Sequence, residues 1–271
     1  MTMMPPEQPL TELNGDQLRV RVARARVYLI HAHGGTPNAD LPSGPRRDHL
    51  AYLLKLESEG RLYGYGPVEA LPDDDIKEMA IVMAASREEA EAIAAVDPLH
   101  AAGLRHNTVQ GHTMNEGVAC YVGRTMSRRI EASSTPFDPD YSDVKLSLAD
   151  LEAGARFTQL YLIPLVPTDK PRAPEDVATF DAHFVWLRDN EMAGRLMSCG
   201  PVEAPKPLAP GIWGGGLGIV ATSREEAQAI ADREPSGQAG YRVLSVRGWS
   251  MQYGLAAPIA QSLYTLNHLP A

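Results

Sequence analysis

The sequence predicts an α+β fold of two ferredoxin-like units, chiefly because one half of the chain repeats in the other. Residues 49–70 and 183–204 both run from a His through Gly-Arg-Leu to Gly-Pro-Val-Glu-Ala, at an offset of 134 residues. Residues 86–90 and 223–227 are both Ser-Arg-Glu-Glu-Ala, at an offset of 137. A repeat of about 95 residues has the size of a small domain, so a tandem duplication is predicted.

The first copy reads as β-α-β-β-α-β. Its first helix starts in the Ser-Gly-Pro stretch at 43–45 and ends at Gly60, because Pro favours a helix start and Gly a helix end. Ser86, with Glu89 three residues later, has the spacing of a capping box at the start of the second helix. Between the helices, short β-rich runs predict the strands. The four predicted strands are 27–30, 61–65, 78–84 and 105–114.

The second copy repeats each element, and its capping pattern recurs at Ser223 and Glu226. The β-α-β-β-α-β order is that of the split βαβ, or ferredoxin-like, fold. Its helices cover one face of the sheet, so two units can bury their free faces against each other and form a pseudo-symmetric barrel. The predicted elements of this copy are a strand at 157–163, a helix at 174–192, strands at 195–199 and 213–221, a helix at 223–233 and a strand at 242–252.

These elements divide the chain into a first domain at 25–123, a connector at 124–155 and a second domain at 156–254. The connector is polar and contains proline, without a clear helical or strand period. About 20 residues at the N-terminus and the tail from Leu255 fall outside the repeat.

Composition narrows the classes of function. A net charge of −9 argues against nucleic-acid binding, which needs clustered Lys and Arg. No apolar run has the length of a membrane span, and the first residues lack the apolar core of a signal peptide. Cys120 and Cys199 have no partners at metal-binding spacing. We therefore expect a cytoplasmic protein with reduced thiols and no membrane partner.

Several short motifs, in this order, resemble the YciI-like (YCII) family of the dimeric α+β barrel superfamily, to which muconolactone-isomerase-like enzymes also belong. The resemblance covers about 27–115 well and 160–253 more weakly. It implies a His–Asp pair for acid–base chemistry on small, often aromatic-derived metabolites, and no organic cofactor. The motifs are Arg46-x-x-His49, Gly60-Arg61-Leu62, Gly66-Pro67, an Ala-rich helix, and Asp97-Pro98 followed by small residues.

By position, the family's pair falls on His49 and Asp97, and in the second copy on His183 and Glu234. The second carboxylate is longer by one methylene, which leaves that site either altered or retired. Imidazole titrates near neutrality, and a carboxylate on its other nitrogen fixes the tautomer. No nucleophile elbow accompanies the pair, so proton transfer is favoured over acyl transfer.

Further histidines cluster in the first copy. His31 and His33 are two apart in a strand and so share a face, while His100 follows Asp97 in a turn. We expect them to line the first pocket, with metal binding by His31 and His33 or solvent exposure as alternatives. The second copy lacks these residues, which makes the first pocket the working one.

Three other residues are candidates for substrate contact. Arg46 and Arg47 are suited to holding a carboxylate, or else are two solvated charges in the first helical turn. Tyr65 lies two residues from Tyr63, so both are expected on one side of a strand, with one of the phenols reaching the pocket.

The predicted function is that of a cofactor-independent lyase or isomerase acting on a small, anionic or phenolic metabolite in a catabolic or secondary-metabolite pathway. The alternative is a non-catalytic small-molecule binding protein whose dyad is a relic. No metal is predicted. A homodimer is predicted, although the duplication also allows one chain to satisfy the pairing by itself.

Overall fold

A computed structural model describes residues 12–13, 17–18, 24–34, 36, 40–71, 74–133 and 137–268. The helices and strands follow the predicted order in both copies. Those of the first half are β1 Ala25–His33, α1 Ser43–Ser58, β2 Leu62–Pro67, β3 Ile76–Val82, α2 Arg87–Val96, α3 Pro98–Ala101, β4 His106–Met114, α4 Cys120–Ala132 and α5 Leu148–Gly154. Those of the second half are β5 Thr158–Pro167, α6 Val177–Met192, β6 Leu196–Pro201, β7 Gly216–Val220, α7 Arg224–Asp232, α8 Pro235–Gln238, β8 Arg242–Leu244, β9 Arg247–Met251 and α9 Ala257–His268.

The strands form two antiparallel sheets with the same order. The first is β2-β3-β1-β4, and the second is β6-β7-β5, with β8 and β9 both paired to β5. This order confirms the predicted ferredoxin-like units. The last predicted strand of the second copy is divided into β8 and β9. The sequence also predicts an acidic turn between the second and third strands, made of Asp73, Asp74 and Asp75, of which Asp73 lies outside the described residues.

Each sheet has helices on one face and the other sheet on its opposite face. In β1, Val27 and Leu29 point into the core between the sheets, whereas Tyr28 and Ile30 pack against the helices. The alternation follows from the two-residue period of a strand. The two units are therefore paired within one chain, and the homodimer stays a prediction.

The most strongly repeated motif holds the two units together. Glu69 of the first Gly-Pro-Val-Glu-Ala segment accepts from the Gly248 amide at 2.8 Å and pairs with Arg224 of the second unit. In the symmetric contact, Glu203 pairs with Arg87 and accepts from the Gly111 amide. These reciprocal bonds give a physical reason for the recurrence of both sequence blocks.

The Gly residues of this motif permit a close approach of backbones. A Cβ on Gly66 would lie 1.8 Å from the carbonyl oxygen of Ser250, and a Cβ on Gly200 would lie 1.8 Å from that of Thr113. Real Cβ atoms do not come so near a carbonyl oxygen. Glycine is therefore required at both positions by the contact between the units.

Each structural unit includes one more helix than the sequence repeat predicts. Helix α4 starts inside the first predicted domain and runs into the predicted connector, and helix α9 lies in the tail placed outside the repeat. Each packs on the first strand of its own unit, after a glycine of positive φ, Gly117 or Gly254. The sequence carries a signal of this match, because Gly117 and Ala119 recur as Gly254 and Ala256 at the offset of 137 residues. In the part of the chain that is described, no helix is long and apolar enough to cross a membrane.

A bulge in β2 overturns one expectation about side-chain direction. The pairing of β2 with β3 shifts between Leu62 and Gly64. As a result, Tyr63 lies in the core between the sheets and Tyr65 lies on the helix side. The prediction that both tyrosines share a face is wrong, because an extra residue in a strand reverses the alternation.

Candidate functional site

His49 lies on the face of α1 that packs against the first sheet, and it is 4% exposed. Its Nδ1 is 2.9 Å from Oδ1 of Asp97, and its Nε2 is 3.0 Å from the Tyr65 hydroxyl. Both ring nitrogens are thus occupied by protein groups from different elements. The ring is fixed in position and orientation.

Asp97 is held by the junction between α2 and α3. Its Oδ1 also accepts from the Leu99 amide at 2.9 Å, so the carboxylate caps α3 while it faces the imidazole. Pro98 at the first position of α3 favours this start of a helix. Asp97 and Pro98 therefore start helix α3, and Asp97 also pairs with His49.

The dyad favours separated charges. Burial lowers the pKa of His49, but the charge and hydrogen bond of Asp97 outweigh burial, so this pKa lies above its ordinary value of 6.5. Burial raises the pKa of Asp97, yet the neighbouring His49 and the backbone amides at Leu99 and His100 bring it below its ordinary value. Each partner stabilises the charged form of the other.

Tyr65 connects the dyad to a second charged pair. The hydroxyl of Tyr65 is hydrogen-bonded to Glu78, and burial, followed by the charge of Glu78, raises the pKa of the phenol well above its ordinary value. Oε2 of Glu78 lies 3.9 Å from Nε of Arg105. The buried network therefore runs from Asp97 through His49 and Tyr65 to this pair, and Tyr65 keeps its proton.

A cavity of about 280 Å³ opens beside this network. Arg46 and Glu152 form an ion pair of 2.5 Å at its wall. The second unit contributes Tyr253, whose hydroxyl donates to the carbonyl of Leu151 at 2.6 Å. The site thus combines α1, the sheet, the connector helix α5 and the other unit. Its lining residues are Leu41, Arg46, His49, Leu50, Tyr65, Glu78, Leu99, Glu152, Ala155, Phe157, Gln252 and Tyr253.

The second copy has a dyad in the same place. Nδ1 of His183 is 2.6 Å from Oε1 of Glu234, whose Oε2 accepts from Ser236 and from the Gly237 amide. Burial lowers the pKa of His183 below its ordinary value, and the hydrogen bond to Glu234 does not compensate. Burial raises the pKa of Glu234, but its bonds to His183 and Ser236 bring it to about 2.

The cavity beside His183 is smaller and differently lined. It has a volume of about 170 Å³. Trp213 meets the imidazole edge-on at 5.2 Å between ring centroids, and the guanidinium of Arg242 lies 4.4 Å from the Trp213 ring centroid. By strand register Cys199 stands where the first copy has Tyr65. Among the described residues, no hydroxyl links this ring to the cavity.

The other predicted histidines do not join His49. His31 and His33 lie on the opposite face of the first sheet, which faces the second sheet. His31 lines a cavity between the sheets. His33 bonds Asp75 at 2.6 Å and Thr108 at 2.9 Å. The prediction that they share the pocket of His49 is wrong, because α1 packs on the other face of β1.

His100 and Arg47 are also directed away from the cavity. Nδ1 of His100 accepts from the Asn107 amide at 3.2 Å, which turns the ring towards β4. Arg47 donates to the backbone carbonyls of Val144 and Leu146 in the connector. Of the two arginines proposed as an anion clamp, only Arg46 lines the cavity. Across the described ranges, no three His, Cys, Asp or Glu side chains are grouped so as to hold a metal ion.

Sequence reasoning missed several polar residues of the site. Glu78 and Arg105 lie within predicted strands, where a buried charge is not expected, and a Glu inside an otherwise apolar strand is the signal that was available. Glu152, Gln252 and Tyr253 come from the connector and from the other unit. No local pattern predicts these contacts.

The match to a family model agrees with the duplicated fold. The model of the YCII-related domain matches residues 28–110 and 161–250, more than half of the chain. Curated proteins give no significant match. A heme-binding protein from Thermus thermophilus is 13% identical, with 92% of this chain and 97% of that chain covered and a TM-score of 0.49. A mutant chlorite dismutase from Candidatus Nitrospira defluvii in complex with cyanide is 10% identical, with 92% and 98% covered and a TM-score of 0.47. Heme and cyanide are ligands of those two proteins.

Proposed function

We propose that this protein, which belongs to the YCII-related domain family, binds a small molecule in the cavity beside His49 and transfers a proton to or from it. The observation that carries the proposal is the imidazole of His49, fixed between Asp97 and Tyr65 at the cavity wall. Among the described residues that line this cavity there is no Ser, Thr, Cys or Lys. The lining therefore favours a lyase or isomerase reaction over acyl transfer.

Tyr65 would be the group that meets the substrate. With Asp97 on Nδ1, the protonated ring of His49 presents its Nε2–H to the oxygen of Tyr65. Tyr65 would turn its proton from Glu78 to a substrate oxygen and take one from His49, so that the phenol never carries a full charge. Once His49 is neutral, the same path accepts a proton in the reverse direction.

The walls of the cavity suit a small molecule with one apolar and one anionic or phenolic part. Leu50, Leu99 and Phe157 supply apolar surface. Arg46 would hold an anionic group after exchanging Glu152 for the substrate. This proton transfer needs no cofactor, since both proton donors belong to the chain.

The competing function is non-catalytic binding of the same class of molecule. The observation in its favour is that both nitrogens of His49 are already bonded within the protein. A ligand can then be held by Tyr65 and Arg46 without any transfer of a proton.

Solvent exchange separates the two functions. Small carboxylates and phenols would first be screened for thermal stabilisation of the full chain. Each stabilising compound would then be incubated with the protein in D₂O, and its C–H signals followed by ¹H NMR.

We expect catalysed exchange or conversion of at least one stabilising compound, with a rate about 100-fold lower in His49→Gln. His33→Gln is the matched control, because His33 lies outside this cavity, and it should keep the rate. Binding without exchange or conversion by any compound would support the binding protein and overturn the enzyme.

A further inference from the structure

We infer that the cavity between the two sheets is a second ligand site, which takes a neutral and mostly apolar molecule with a hydroxyl group, and that His31 is its polar contact. This cavity has a volume of about 320 Å³ and lies on the face of the first sheet opposite His49. Both units contribute to its walls. The inference is independent of the reaction proposed for His49.

The walls are apolar and continue to an exposed mouth. Leu29 and Met79 of the first unit face Leu162 and Leu217 of the second, all of them buried. Two further lining residues are large hydrophobic side chains that remain in contact with water: Val166 is 54% exposed and Leu208 is 41% exposed. Exposed apolar groups that lead into a buried apolar cavity favour entry of an apolar molecule.

The charged groups that line the cavity already have partners. Arg247 donates to the carbonyls of Glu69 at 2.6 Å and Ile76 at 3.0 Å, and it pairs with Asp74. Glu203 pairs with Arg87. These compensated charges offer no counter-ion to a ligand, so a neutral molecule fits best.

Of the described residues that line the cavity, His31 supplies the one buried side-chain polar atom that lacks a partner. This atom is Nε2, which has no hydrogen bond. Burial, aided by the nearby His33, lowers the pKa of His31 to about 4, so the ring is neutral. A buried acceptor or donor left unpaired is destabilising, and a ligand that pairs with it removes this cost.

The tautomer of His31 follows from its neighbour Gln110. The amide nitrogen of Gln110 donates to the carbonyl of Glu203 at 2.7 Å. The amide oxygen is left to accept the hydrogen bond that Gln110 shares with the imidazole. We therefore assign the proton of His31 to the nitrogen facing Gln110, which leaves Nε2 as an acceptor. A ligand must bring a donor, and a hydroxyl group suits an apolar molecule.

The second unit does not duplicate this contact. By strand register Pro164 occupies the position of His31, and Arg247 follows at the offset that matches Gln110. The cavity between two similar sheets therefore has its free acceptor on one side only. A bound molecule would have a single preferred orientation.

The test compares two fluorescent probes of similar shape, 1-naphthol and 1-methoxynaphthalene, of which only the first donates a hydrogen bond. Their dissociation constants would be measured by fluorescence titration of the full chain. We expect 1-naphthol to bind about tenfold more tightly, the value of one hydrogen bond to a buried acceptor. In His31→Leu this preference should vanish, while the methoxy probe still binds.

Two control variants locate the probe. His33→Leu alters the next residue on the same strand face but outside the cavity, and it should keep the preference. His49→Gln alters the proposed reaction site and should also keep it, so failure of one proposal does not imply failure of the other. Equal affinity for the two probes in the wild type, no binding of either, or loss of binding in His49→Gln would overturn the inference.

Discussion

In the first unit the histidine of the dyad uses both ring nitrogens, whereas in the second unit only Nδ1 has a partner among the described residues. The carboxylate lies in the same place in both. The pKa of His49 is nevertheless raised and that of His183 is lowered. The carboxylate alone does not decide the charge of the ring.

The difference is explained by what surrounds each dyad. Both units keep an arginine, Arg105 or Arg242, whose charge lowers the pKa of the histidine. The first unit also has Glu78, whose charge raises the pKa of His49, but strand register places Gly216 at the equivalent position of the second unit. The second histidine therefore faces an arginine without the opposing glutamate. Besides burial, the absence of this carboxylate from β7 therefore contributes to the lower pKa of His183.

The largest loss of stability should come from the interface glycines Gly66 and Gly200, where the two units are alike. Gly66→Ala would drive a Cβ into the backbone of the second unit, and overpacking of this kind should cost about 3 kcal/mol of the free energy of unfolding. Gly200→Ala should cost a similar amount, because its contact is symmetric. Urea unfolding of each variant gives the values.

Gly44→Ala is the control for this pair, since no atom lies within 4 Å of the added Cβ. Gly44 lies in the first turn of α1, so this change should alter the free energy of unfolding by no more than about 1 kcal/mol, the difference in helix propensity. A large difference between the costs of Gly66→Ala and Gly200→Ala would show that the two symmetric contacts do not contribute equally to stability.

A pH-dependent difference should separate the two carboxylates. Asn in place of Asp97 keeps the cap of α3 but removes the charge, and breaking a buried pair should cost about 3 kcal/mol. The raised pKa of His49 means that its stabilisation is fully present below pH 6.5 and is lost as the pH rises through the folded-state pKa. The lowered pKa of Asp97 means that its stabilisation is present above its ordinary 3.8 and is lost as the pH falls.

Asp97→Asn should therefore cost more at pH 5.5 than at pH 8.5. Glu234→Gln should show a weaker dependence on pH, because burial lowers the pKa of His183 and Glu234 titrates at about 2. Urea unfolding at the two pH values measures both costs. The same pH dependence in both variants would contradict a difference in charge between the dyads.

Much of this architecture could be predicted from the sequence, because duplication tested each element twice. The N-caps at Ser86 and Ser223 form, each accepting from the amide three residues on. The capping boxes are incomplete, because the carboxylates of Glu89 and Glu226 accept from Ala85 and Thr222 instead of the cap residue's amide. The contact of His49 with Asp97 also follows from the motif. These features depend on local backbone geometry or on the resemblance.

The remaining features depend on contacts between distant segments. The bulge in β2 reversed the direction of Tyr65, and no residue pattern in that strand marks it. His31 and His33 were correctly placed on one face, but the face covered by α1 depends on packing of the whole unit. Several residues that line the cavity come from α5 and from the other unit. No sequence pattern near His49 therefore predicts them.

The most direct test of the central claim is an NMR titration of the imidazoles of His49 and His183 in the full chain, with assignments from His49→Gln and His183→Gln. We predict that His49 titrates above 6.5 and His183 below it, and that Glu78→Gln lowers the pKa of His49 towards that of His183. Coincident pKa values, or a His183 that titrates above His49, would contradict an imidazole that is charged more readily in the first dyad than in the second.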